Sequence, residues 1–151
     1  MLDNAQDICM LTGDKLPLNT GGPIHVTRFM ENPLAPHKVR VNFVVRHVGT
    51  GNFYDRAEGE ICDPSITNTN LNKVDVNLIG ESYGLQIACD QFSGNSTGTI
   101  TLSNEAPMTV TCTLTADPYA TLQTYAENIT IGFRYRYSES INRSIVIQPA
   151  G

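Results

Sequence analysis

The chain has 151 residues, a formal net charge of −5 and an isoelectric point near 5.0. That length fits one domain able to bury about 68–70% of its unfolded surface. The acidic balance, without any basic stripe, argues against nucleic acid or an anionic membrane as partner, and no run of eighteen apolar residues offers a membrane-spanning helix.

The hydrophobic fraction is 40% and the charged fraction 17%, both low, and Thr, Asn and Ser fill the difference. Those residues suit half-exposed strands and polar turns. Eight Pro and twelve Gly interrupt the chain as often as many short strands require.

Residues 1–22 read as an irregular N-terminal arm, closing on the loop chemistry of Leu16-Pro17-Leu18-Asn19-Thr20-Gly21-Gly22-Pro23. Met1 to Asp7 show neither the basic start nor the apolar core of a signal peptide. A strand is expected over 24–30, then a turn over 31–36 with two prolines. Over 39–48 the alternation is strict: Val39, Val41, Phe43 and Val45 share one face, and Arg40, Asn42 and Arg46 the other. Residues 73–79 repeat it, with Val74, Val76 and Leu78 inward. Leu85, Ile87 and Cys89 make a third inward set, and Ile100 and Leu102 a fourth.

Residues 108–115 alternate Met108, Val110, Cys112 and Leu114 with four threonines, which favour strand backbone while wetting the outer face. A last hairpin is expected between 128–137 and 141–147, turning at Ser138-Glu139-Ser140. Seven or eight alternating strands in a chain of this size predict an all-β fold, an antiparallel two-sheet immunoglobulin-like β-sandwich occupying 23–151 as a single domain.

Four cysteines, Cys9, Cys62, Cys89 and Cys112, lie at long irregular intervals without a C-x-x-C pair. An even count in such a chain reads as disulfides rather than zinc ligands. Three pairings are open. Cys89 with Cys112 is preferred because both face inward from strands, which leaves Cys9 with Cys62. Disulfides imply export, so a targeting segment or anchor is expected upstream.

Gly94-Asn95-Ser96-Thr97-Gly98 fits the G-x-S-x-G nucleophile pattern, but that motif needs a helix after it, and here a Thr/Ile strand follows. His25, His37 and His47 lack zinc-ligand spacing and read as surface or strand-end residues. Asp63, Asn68, Asn70, Asn72 and Asp75 are oxygen-rich, without the regular spacing, central Gly and terminal Glu of a calcium loop. Asn95, Asn128 and Asn142 each begin an N-glycosylation triplet. Tyr119, Tyr125, Tyr135 and Tyr137 could stack on sugar, although sandwich core is the simpler reading. No catalytic residue, metal site or cofactor is expected.

Pro23-Ile24-His25-Val26-Thr27, Lys38-Val39-Arg40-Val41-Asn42-Phe43 leading to His47-Val48-Gly49-Thr50-Gly51, Gly59-Glu60-Ile61-Cys62, Leu71-Asn72-Lys73-Val74, Ile87-Ala88-Cys89 and Phe133-Arg134-Tyr135-Arg136-Tyr137 stand out together. They resemble uncharacterised cysteine-containing immunoglobulin-like β domains of archaeal surface proteins, especially of small-genome lineages. The Val-Gly-x-Gly piece is similar to adhesion-related modules of prokaryotic surfaces. The resemblance implies a fold and an extracellular or cell-surface location, and it carries no active-site residues.

The expected function is therefore a non-enzymatic cell-surface or extracellular structural or interaction module, with a filament or sheath subunit as one form of it, whose partners are other protein chains, itself included. Strand edges and the arm 1–22 would supply the contacts. The alternative is a carbohydrate- or ligand-binding β-sandwich.

Overall fold

The structure, a computed structural model, describes residues 13–56, 69–82, 84–103, 106–117 and 127–150. Expectations that fall on Cys9, Cys62, Asp63, Asn68, Tyr119 and Tyr125 lie outside those residues. The described elements are β1 (Gly13–Lys15), β2 (Ile24–Ala35), β3 (Lys38–His47), β4 (Asn52–Tyr54), β5 (Lys73–Gly80), β6 (Gln86–Cys89), β7 (Thr97–Thr101), β8 (Met108–Thr115), β9 (Ile129–Arg134) and β10 (Arg136–Ser138). One 3-10 turn, Asp90–Phe92, follows β6, and no α-helix occurs among the described residues.

All pairings are antiparallel. A five-stranded sheet runs β1-β2-β3-β8-β6, a three-stranded sheet runs β7-β5-β9, and β10 pairs with β4. The alternation read from the sequence decides which side chains are buried. Val41, Phe43 and Val45 from β3, Val110, Cys112 and Leu114 from β8, Val74, Val76 and Leu78 from β5, and Ile100 from β7 enter one core cluster. Fully burying each such side chain contributes roughly 1.5–3 kcal/mol.

β2 departs from simple alternation. Val26 pairs with Val45 but Arg28 pairs with Val44, so Thr27 is an extra residue, a β-bulge. Ile24 and Val26 face the core before the bulge; Phe29, opposite Phe43, faces it afterwards. The same switch puts Glu31 opposite the buried Val41, and burial raises its carboxyl pKa above 4.5, partly countered by Lys15. The expected turn over 31–36 is instead strand up to Ala35, and the reversal takes only Pro36 and His37. Among the described residues β1 pairs with β2 only from Phe29 to Glu31, so no described strand lies on the outer side of β2 at Pro33, a placement that proline tolerates. His37 adopts φ 63°, the positive value that a type II turn, which also favours Pro at its first central position, requires at its second.

The last expected strand does not form. Residues 139–150 have no regular structure, and all are exposed. The expected strand 128–137 divides into β9 and β10, which join different sheets on either side of Tyr135.

Candidate functional site

Cys89 and Cys112 are bonded, as preferred from their inward positions, and both are buried. They sit directly opposite on β6 and β8, with Cα atoms 3.9 Å apart. The backbone of Cys89 is turned the other way: its N–H donates to Asn95 O at 3.0 Å, and its carbonyl accepts from Gly94 N at 2.9 Å. The pair is therefore a non-hydrogen-bonded one, the kind in which opposite Cα atoms approach most closely. The disulfide joins neighbours within one sheet, whereas the antibody-type bridge crosses between two.

Two side-chain amides close edges of the five-stranded sheet. Asn19 Oδ1 accepts from Val26 N and Asn19 Nδ2 donates to Val26 O, both at 2.7 Å, as a paired strand residue would. Gln91 does the same for β8, accepting from Thr111 N at 2.9 Å and donating to Thr109 O at 3.3 Å. With β1 lying on β2, the described portion of the arm, 13–22, is held against its own body. The exposed Arg28–Asp14 pair at 3.2 Å adds at most about 1 kcal/mol.

The three-stranded sheet has two unlike edges. At β7, Ile100 is buried, and Phe92 from the 3-10 turn packs over Gly98, where a Cβ would collide with its ring. At β9, Ile131 and Phe133 point inward opposite Leu78 and Val76 yet remain half-exposed, as does Ile129. Among the described residues no strand pairs with the outer edge of β9.

A shallow cleft of about 380 Å³ lies between the β3–β4 turn and the end of β10, lined by Thr50, Gly51, Asn52, Tyr54, Ser138, Glu139 and Ser140. Thr50 Oγ1 donates to Glu139 Oε1 at 2.6 Å, and Gly51 N donates to the Tyr137 hydroxyl at 2.7 Å. His47 is 8% exposed, edge-on to Phe53 and Tyr137, and neither ring nitrogen has a hydrogen-bond partner. Burial lowers its pKa below 6.5. Of the expected surface or strand-end positions, His47 takes the second, as the last residue of β3, and it is buried rather than at the surface. The signal was present, since His47 continues the inward series Val41, Phe43, Val45. His25 is half-buried and His37 exposed.

The remaining candidates scatter. Ser96 is followed by β7, and its carbonyl accepts from Leu78 N, so the strand-to-helix elbow of a nucleophile is not built. Asp75 accepts from Thr99 Oγ1 at 2.6 Å, while Asn72 takes φ 65° and buries Oδ1 without a partner. No group of three or more His, Cys, Asp or Glu able to hold a metal occurs among the described residues. Tyr135 and Tyr137 are half-buried against the core, and burial raises the Tyr135 pKa against a lowering hydrogen bond with backbone of Ile24. Asn95 donates its amide to Phe92 O and Asn128 to Glu81 Oε2, and Asn142 lies in the exposed segment 139–150.

The chain matches no family model, no curated protein and no solved structure.

Proposed function

We propose that this chain is a non-enzymatic structural or interaction module of a cell surface or extracellular assembly, built as an immunoglobulin-like two-sheet sandwich and contacting other protein chains. The observation that carries the reading is the contrast between closed and open edges. Asn19 and Gln91 satisfy backbone groups along the large sheet, while β9 keeps a half-exposed apolar row at an unpaired edge among the described residues. Strand edges left available in this way bind by main-chain hydrogen bonds. The buried disulfide supports an oxidising compartment, and the likeness to archaeal surface domains belongs with this reading. An anchor or signal preceding this sequence is part of the same proposal.

A carbohydrate-binding role would use the cleft beside Thr50 and Glu139. It is the weaker reading, because Tyr54, the aromatic residue lining that cleft, is buried and offers no stacking face.

Protease shaving of intact source cells, followed by mass spectrometry, tests location. Peptides of this chain should appear in the shaved fraction, with Cys89 and Cys112 oxidised. Recovery only from the cytosol, with both thiols reduced, would defeat the proposal.

A further inference from the structure

Residues 141–148 read as a strand. Ile141, Arg143, Ile145 and Ile147 fall on one side and Asn142, Ser144, Val146 and Gln148 on the other, so over 144–148 Ile145 and Ile147 share a face at a spacing of two. β-branched residues dominate it, and Pro149 would end it. Yet Ile145, Val146 and Ile147 are 83%, 87% and 86% exposed. A segment patterned for a half-buried strand therefore stands without a sheet.

The edge of β9 has the complementary defect. Ile131 and Phe133 face the core beside Leu78 and Val76, which are buried, but are themselves only half-covered. At the opposite edge of the same sheet Phe92 completes the cover.

We propose that residues 144–148 of one copy add as an antiparallel strand to the outer edge of β9 in a second copy, with Ile145 opposite Phe133 and Ile147 opposite Ile131. This rests on the interaction-module reading and names its partner as the chain itself. The register follows from the pattern: it is the one a hairpin turning at 138–140 would give, and exchange between copies preserves it. Within one copy the return turn is opposed. Ser138, Glu139 and Ser140 line the cleft against Thr50 and Asn52, and Thr50 holds the Glu139 carboxylate. The turn residues are thus held at the β3–β4 turn rather than folded back along β9.

Strand addition would give the β9 amides and carbonyls partners and remove both isoleucines from water. Because the donor's own β9 edge stays open, each addition leaves a site for the next, and such heterologous contacts grow into open chains when the rotation does not close.

Light scattering on the full chain over a range of concentrations tests this, with the Ile145→Lys, Ile147→Lys double variant alongside. The mass should rise from one chain to two and beyond for the parent. It should stay at one chain for the variant, with an unchanged far-UV spectrum, since both side chains are exposed in the single copy. A benzophenone side chain at position 147, in a mixture of light and heavy isotope-labelled copies, should cross-link to 129–134 of the other label. A strictly single-chain mass for the parent overturns the proposal. So does assembly of the variant equal to the parent, or cross-linking confined to one label, which would mean the segment closes its own β9. A surface-located protein that stays single sinks this inference and leaves the broader reading intact; a cytosolic, reduced protein that still assembles does the reverse.

Discussion

His47 stands edge-on to Phe53, ring centroids 4.9 Å apart, with no hydrogen-bond partner for either ring nitrogen. Burial keeps the imidazole neutral to lower pH than in the unfolded chain, whose value is near 6.5. The unfolded chain therefore takes up this proton first, and stability from the neutral ring is complete above 6.5 and lost as pH falls through the folded value. Glu31 acts in the opposite sense: its raised pKa favours the folded state below 4.5, a contribution lost as pH rises through the folded value. Thermal melts from about pH 7 down to about pH 5 should show a falling Tm that flattens in His47→Leu. Equal slopes in parent and variant would remove His47 as the cause.

The disulfide closes a sequence separation of 23 residues inside the core. Replacing both Cys89 and Cys112 by Ala should lower stability by about 3 kcal/mol on the chain-entropy model. Urea unfolding measures the loss, and digestion without reductant should release the two cysteine peptides as one joined species. Two separate peptides would show that the bond does not form.

Gly98 leaves the space that the Phe92 ring occupies. Gly98→Ala should therefore cost about 1–3 kcal/mol, the usual range for overpacking a filled core. Combining it with Phe92→Leu should cost less than the sum of the single changes, because the smaller side chain relieves the collision. Strict additivity in urea melts would count against the contact.

The Tyr137 hydroxyl accepts the Gly51 amide at 2.7 Å, tying β10 to the β3–β4 turn. Tyr137→Phe removes the acceptor and should cost about 1–3 kcal/mol if the amide is left unsatisfied. Amide exchange should accelerate at Gly51 with little change at Val74 or Val110 in the core. Unchanged exchange at Gly51 would show that water replaces the hydroxyl at no cost.

Period-two alternation is a local property, so the sequence by itself determined the inward faces of β3, β5 and β8, Cys112 among them, while the pairing of β6 with β8 brought Cys89 to it. It also contained His47 at the end of the inward series, although a histidine there reads more easily as exposed than as buried. What the tertiary structure decided was pairing, which depends on a second segment. Pro33 stays in strand where no described strand lies on the outer side of β2 to ask a hydrogen bond of it. Glu31 faces inward because one extra residue, Thr27, shifts the register of β2. β1 and β4 are three residues each, too short to show a period, and exist because β2 and β10 lie beside them. Residues 141–147 carry Ile145 and Ile147 at strand spacing but no partner strand among the described residues, since a pattern specifies which face seeks burial, and only the arrangement of neighbours supplies the surface that buries it.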